Sequence, residues 1–331
     1  MTRRIVLFGA TGYTGRRTAE EMVARGLRPV LAGRNADKLA ALAQRLGGLP
    51  TVIADTESMR GLIGAGDVLV STVGPFLRHG EAALAAAVDV GAIYLDSTGE
   101  PPFIRRVFEE FGPRAIRSGA SLLPAFGHDY VPGNLAGALT LRQAGRTASR
   151  VETAYYVTGV GRAQVFSRGT FASLVGMAGE PSFTWRDGIQ SEPTGARVRT
   201  FPVAGRARPA LSIGSSEHFA LPRLHPELRE VDVYLGWFGP VTRVLHLSAR
   251  LTPGLRRARP LLRPAQPLLR RARPLLSRAS ELLISRVAEE PDAAALERVT
   301  AHFVGAASDA NGRTLAEVRL VAADPYRLTA A

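Results

Sequence analysis

Residues 4 to 8 (RIVLF) are a short apolar run that stops at Gly9, and from Thr14 to Arg25 the apolar positions recur at helical spacing. This predicts a strand, a glycine turn and a helix. The alternation continues with strands at Arg28 to Ala32, Thr51 to Ala54, Asp67 to Thr72, Ile93 to Asp96 and Ala120 to Leu123. Helices are expected between them at Ala36 to Leu46, Glu81 to Val90 and Pro102 to Ser118. Strands and helices alternating at this pitch imply a parallel, doubly wound sheet. After Pro124 the texture changes, with β-like runs at Val151 to Thr158, Arg197 to Val203, Glu230 to Leu235 and Arg243 to Leu251. A hairpin is expected to join Val299 to Ala306 with Thr314 to Val321 across a turn containing Asn311-Gly312. The predicted class is therefore α/β, with a nucleotide-binding domain over 1–129 and a second α/β or α+β substrate domain over 130–331.

The length of 331 residues suits two domains or one large α/β body, and no stretch approaches the ~20 apolar residues of a membrane span. Cysteine is absent, which excludes disulfides, thiolate metal sites and cysteine nucleophiles, and no metal site is expected. With no secretory apolar region before the first strand, the expected location is the cytoplasm. Lys38 is the only lysine, so mechanisms that need a catalytic lysine have almost no candidate.

Gly9-x-x-Gly12-x-x-Gly15 sits where the first strand meets the first helix. Gly9 and Gly12 let the chain turn tightly with backbone N–H groups close to a pyrophosphate, and Gly15 allows close helix packing. Thr11, Tyr13 and Thr14, between the glycines, are expected to touch the same ligand at the helix N-terminus. The end of the second strand reads Ala32-Gly33-Arg34-Asn35, without the carboxylate that would bind a ribose 2′-hydroxyl. Arg34 can bind a 2′-phosphate with Asn35 beside it, which points to NADP(H); the alternative is a solvated arginine opening the next helix. Asp55 has two readings, a contact at the adenine edge or the N-cap of a helix.

With the segments GATGYTG, AGRN, STVGPF (Ser71 to Phe76), YLDSTGE (Tyr94 to Glu100) and LLPAFGHDYVPGNLAG (Leu122 to Gly137), the chain resembles the saccharopine dehydrogenase-like oxidoreductases, most closely the actinobacterial trans-acting enoyl reductases. The resemblance is specific over roughly residues 1 to 140 and looser beyond. It implies a Rossmann domain, a following α/β substrate domain and NADPH in the cleft between them. It also directs attention to Ser71, Val73, Gly74, Pro75 and Phe76, which leave the fourth strand at its C-terminal end, where open α/β sheets bind ligands. Phe76 can pack on the ribose or nicotinamide, or serve as an interdomain core aromatic. Asp96 and Thr98 end the next strand at the same edge. His128, Asp129 and Tyr130 form the densest titratable cluster at the expected cleft: His128 or Tyr130 can deliver a proton while NADPH delivers hydride, with Asp129 orienting either. The alternative is a hydrogen-bonded hinge in which Asp129 caps the following helix.

Two departures bear on the chemistry. Lys38 has no tyrosine four residues before it, which excludes the Tyr-x-x-x-Lys mechanism of short-chain dehydrogenases, and the near absence of lysine argues against oxidation of the saccharopine type. Relatives usually continue past Asp324-Pro325-Tyr326, which reads as a helix start, into a closing segment.

The net charge of +13 is unevenly spread: between Pro253 and Glu289, nine arginines face two glutamates, a balance of +7. Leucine doublets recur there every seven residues, at Leu261-Leu262, Leu268-Leu269, Leu275-Leu276 and Leu282-Leu283, as in a basic amphipathic helix. Pro260, Pro264, Pro267 and Pro274 interrupt it at ~3 kcal/mol each, so only about 275 to 289 is expected to be helical. Three readings stay open: a surface helix on the second domain, association with an anionic membrane at the inner face, or docking of an acyl carrier protein. Nucleic acid is disfavoured because the segment has no aromatic residue for stacking. The leading expectation is an NADPH-dependent reductase of a hydrophobic acyl or polyketide-like small molecule, acting on an enoyl C=C. Reduction of an imine or ketone, and a non-catalytic NADP-binding protein, are the alternatives; a homodimer is one option for its assembly.

Overall fold

The computed structural model describes residues 3–59, 61–159, 167–177, 180–239, 242–243, 246–247, 285, 287–288 and 290–331. Six short strands, β1 (Ile5–Phe8), β2 (Val30–Gly33), β3 (Thr51–Ile53), β4 (Val68–Ser71), β5 (Ile93–Asp96) and β6 (Ser121–Leu123), pair in parallel in the order β3-β2-β1-β4-β5-β6. Because Val6, Leu7, Leu31 and Leu69 are buried, the central strands read as continuous apolar runs, as a sheet covered on both faces demands. The strand order reverses between β1 and β4, so the loops after these two strands flank the crevice where doubly wound sheets take ligands.

Helices α1 (Tyr13–Ala24), α2 (Ala36–Arg45) and α3 (Phe76–Val90) connect the early strands. The helix expected at 102–118 forms as α4 (Pro101–Arg106), a π-turn at Val107–Phe111 and α5 (Gly112–Ser118). α3 begins at Phe76, five residues before the predicted start at Glu81, because its first two N–H groups find an acceptor far along the chain: Phe76 and Leu77 donate to the carboxylate of Glu100 at 2.8 and 2.9 Å.

The second sheet is mixed and eight-stranded. Strands β10 (Val198–Val203), β11 (Arg206–Ser212), β12 (Glu230–Leu235), β7 (Arg150–Thr158), β13 (Thr300–Ser308) and β14 (Thr314–Ala322) follow in that order, with a hairpin of β8 (Pro181–Arg186) and β9 (Ile189–Pro193) attached to β12. The expected hairpin across Asn311-Gly312 is β13–β14. α6 (Val131–Ala144) packs on this sheet, its core shared with Tyr155, Leu221 and Phe303. α7 (Arg168–Gly176), α8 (Glu217–Leu224) and α9 (Ala293–Glu297) complete this half, and α10 (Pro325–Ala330) returns from it to pack on α1. α7, β8, β9, β11 and α8 had no expected counterpart. The strand expected at 243–251 lies mostly outside the described residues, and Arg243, His246 and Leu247 within it are helical. The basic segment 253–289 lies outside them except for Ser285, Val287 and Ala288. Among the described residues no helix is long and apolar enough to cross a membrane.

The tightest constraint is at Gly15, where a Cβ would lie 2.2 Å from the carbonyl oxygen of Gly9 and 2.9 Å from Cα of Ala10. Backbone cannot yield there as a side chain could, so Gly15→Ala is expected to destabilise the protein by about 1–3 kcal/mol. A urea midpoint equal to that of the parent protein would show that α1 can move away at no cost.

Candidate functional site

At the end of β1 the chain turns through Gly9, whose φ of +84° is left-handed and whose Cβ would strike Val73 Cγ2 at 2.7 Å and Thr72 Oγ1 at 2.8 Å. Thr72 secures the turn by placing its hydroxyl within 3.1 Å of Phe8 O and 3.2 Å of Gly9 O. Gly12 is the N-cap of α1; no side chain caps it, and the first turn holds no acidic residue. The first turn of α1 thus supplies neither a capping side chain nor a carboxylate of its own to the N-terminal end of the helix dipole, which favours a ligand's negative charge.

A cavity of about 520 Å³ lies against this helix end, between the two sheets. The residues that line it follow the strand order: Arg34 after β2, Gly12 to Thr14 after β1, Thr72 and Gly74 to Phe76 after β4, then Ser97 and Gly99 after β5. Three strand spacings separate the two ends of this row, roughly 14 Å. Asp129, Tyr130, Ile213, Leu235 and Trp237 form the wall on the side of the second sheet.

The cavity brings together Gly12, Tyr13, Thr14, Arg34, Gly74, Pro75, Phe76, Asp129 and Tyr130 of the expected site, while Gly9, Thr11 and Gly15 shape the turn beneath it. Four expected contacts fall elsewhere. Asn35 is the N-cap of α2, its side-chain oxygen accepting from Lys38 N–H at 2.8 Å. Asp55 accepts from the N–H groups of Glu57 and Ser58 and from Ser58 Oγ, a local turn away from the cavity. Ser71 is fully buried within β4, so the next residue, Thr72, faces the cavity instead. Val73 packs into the core of the first sheet and against Gly9. The same shift by one residue separates Asp96 and Thr98, both buried, from Ser97 and Gly99, which line the cavity. Phe76 lines the cavity while its ring packs 5.7 Å from Phe103 in the core of the first sheet.

His128, Asp129 and Tyr130 lie on the loop before α6, and their environments differ. His128 is 5% exposed and lines a smaller adjoining cavity of about 100 Å³; its ring stacks on Trp237 at 6.0 Å, and neither ring nitrogen has a hydrogen-bond partner among the described residues. Burial lowers its pKa to about 4, so it is neutral at pH 7. Asp129 Oδ1 stands 3.8 Å from His128 Nε2, beyond hydrogen-bonding range. Burial, and secondarily the charge of Glu217, push the Asp129 pKa up to about 7. Tyr130 directs its hydroxyl to Gly99 O at 3.3 Å, and burial holds its pKa well above the usual tyrosine value. Asp129 does not cap α6: Tyr130 is the N-cap, and no side chain bonds there.

Glu217 is an ionisable residue that sequence reasoning missed. It opens α8, is fully buried, and accepts hydrogen bonds from Tyr155 Oη and from Thr153 Oγ1 at 3.4 Å. Burial raises its pKa to about 7. Gly133 makes the arrangement feasible, since a Cβ there would lie 1.8 Å from Tyr155 Oη. Glu100 was missed too; besides capping α3 it accepts from Ser173 Oγ at 2.7 Å, tying α7 to the cavity rim.

No family model matches the chain. Over 140 residues it is 34% identical to the trans-acting enoyl reductase of Mycobacterium tuberculosis and 35% identical to that of Mycobacterium ulcerans. Each match takes in 40% of this chain and 34% of the relative, so the similarity spans about a third of the length of these curated relatives. Among solved structures, apo saccharopine dehydrogenase (L-Glu forming) from Saccharomyces cerevisiae superposes with a TM-score of 0.55 at 15% identity, over 99% of this chain and 88% of that one. The fold is that of saccharopine dehydrogenase. The two resemblances anticipated from the sequence are thus both supported, one through partial sequence identity and the other through the arrangement of the whole chain.

The raised pKa values of Asp129 and Glu217 carry a stability consequence with a defined sign. Both carboxyls bind protons more tightly in the folded than in the unfolded state, so their contribution is complete below about pH 4 and is lost as pH rises through about 7. Urea midpoints measured between pH 5 and pH 8 should fall with pH, and Glu217→Gln should flatten that fall. An unchanged slope in the variant would contradict this assignment.

Proposed function

We propose that the chain is an NADPH-dependent oxidoreductase that reduces a hydrophobic acyl or polyketide-like substrate at an enoyl C=C. The observation that carries this reading is the row of cavity residues from Arg34 to Gly99, which runs across four adjacent strands and fits a dinucleotide laid along the sheet edge. The residues suit such a ligand. Gly9 and Gly15 leave no room for a Cβ, the N-terminus of α1 is uncapped, and Arg34 is the group for a 2′-phosphate at a strand end without a carboxylate. When bound, NADPH supplies the hydride.

The chain supplies the proton and the surroundings. Asp129, with a pKa of about 7, holds a proton at the cavity wall over the range where a carboxyl on the surface would have lost it, which suits it as the general acid toward the substrate carbon next to the carbonyl. His128, neutral and stacked on Trp237, shields Asp129. Met177, Ile213, Leu235 and Trp237 offer an apolar wall suited to an acyl chain. The relatives named trans-acting enoyl reductases support the choice of bond. A second reading, reduction of an imine or ketone, draws on the saccharopine dehydrogenase fold. Within this proposal the arginine-rich segment 253–289 meets either an acyl carrier protein or an anionic membrane surface.

One assay tests cofactor and chemistry together: NADPH oxidation in the presence of an enoyl thioester, alongside fluorescence titration with NADPH and NADH. Arg34→Ala should weaken NADPH about tenfold and leave NADH unchanged, while Asp129→Asn should lower kcat by roughly a hundredfold or more with NADPH affinity intact. If Arg34→Ala weakens both nucleotides equally, the 2′-phosphate contact is wrong; an Asp129→Asn protein that turns over normally rules out the proton donor.

A further inference from the structure

The second half of the chain reaches into the cavity through residues 167–170, and the contacts that hold them there come from α10. Tyr326 packs edge-on against Tyr13 of the glycine loop, with ring centroids 5.0 Å apart at 86°. Its hydroxyl accepts Ser167 N–H at 2.8 Å and lies 3.1 Å from Thr170 Oγ1. Arg17 reinforces the junction, pairing with Asp324 at 3.2 Å while its guanidinium lies over the Tyr13 ring. One side chain therefore ties the start of α7 to the first turn of α1.

Arg168 stands inside this junction. Its backbone N–H donates to Ala288 O at 3.1 Å and its Nε to Val287 O at 3.0 Å, which orients the guanidinium. Its two terminal nitrogens have no hydrogen-bond or ion-pair partner among the described residues, and the residue lines the same cavity as Gly12, Tyr13 and Thr14. Arg34 and Arg168 are the two cationic residues of that lining, but they hold different stations: Arg34 follows β2, whereas Arg168 is tethered through Tyr326 to the helix that follows β1. Two positive residues, one after β2 and one tethered to the helix after β1, suit the two separated anionic centres of a phosphorylated dinucleotide.

We propose that Arg168 binds the pyrophosphate of the dinucleotide, closing from the second sheet an anion site whose other half is the uncapped N-terminus of α1. This rests on the dinucleotide reading of the cavity. A pyrophosphate is common to NADPH and NADH, whereas a 2′-phosphate is not, so the roles of the two arginines separate in binding measurements that need no substrate. In calorimetric titrations with NADPH and with NADH at one fixed ionic strength, Arg168→Met, which retains the aliphatic stem, should weaken both nucleotides by the same factor, about tenfold. Arg34→Ala should weaken NADPH alone. Tyr326→Phe, which keeps the ring contact with Tyr13 but removes the hydroxyl, should weaken both nucleotides equally and by less than Arg168→Met does. The proposal is overturned if Arg168→Met leaves both affinities unchanged, or if it affects NADPH alone, which would assign Arg168 to the 2′-phosphate. Failure of the parent protein to bind either nucleotide would instead remove the dinucleotide reading, and Arg168 with it.

Discussion

Gly15 lets the first turn of α1 rest against the carbonyl of Gly9, at a separation that admits no Cβ. That contact aims the helix at the crevice between β1 and β4, and the rest of the site is laid out from it. With α1 held there, the loops after β2, β4 and β5 fall into a row at strand spacing. The helix end presents backbone N–H groups to a ligand because Gly12 has no side chain to occupy them. The proposed anion-binding end of the cavity is thus a property of backbone packing, and Arg34 and Arg168 add charge to it.

The opposite wall is governed by desolvation. Asp129 on this wall, and His128 and Glu217 buried near it, are each shifted mainly by burial, and each in the direction that favours the neutral form. A wall that keeps an acid protonated near neutral pH beside apolar side chains suits proton delivery to carbon. It holds its shape through contacts distant in sequence, among them Tyr155 with Glu217 and Thr329 Oγ1 with His128 N–H at 3.0 Å. α10 therefore supports both walls, gripping Tyr13 and residues 167–170 through Tyr326 and the His128 loop through Thr329.

The sequence revealed what depends on neighbouring residues. The glycine turn, the strand-helix alternation and Arg34 are local, and each stands where the pattern placed it. Errors of parity came next: Ser71, Asp96 and Thr98 belong to the correct strand ends, but pleating turns them inward and gives the cavity to Thr72, Ser97 and Gly99. Asn35 and Asp55 stand outside the cavity lining for a different reason, since short polar side chains beside free backbone N–H groups bond to those groups first. Glu217, Glu100, Trp237 and Arg168 were not legible at all. Their roles arise from packing across the two sheets, and a lone glutamate before an apolar helix looks like any N-terminal acid until Tyr155 is seen beside it.

A crystal structure of the protein with NADPH would test the central claim most directly, that one dinucleotide lies along this sheet edge. The predicted complex has the 2′-phosphate at Arg34, the pyrophosphate between the N-terminus of α1 and Arg168, and nicotinamide C4 facing Asp129 and Trp237. A nucleotide bound in the reverse direction, or outside the cavity between the two sheets, would contradict the account.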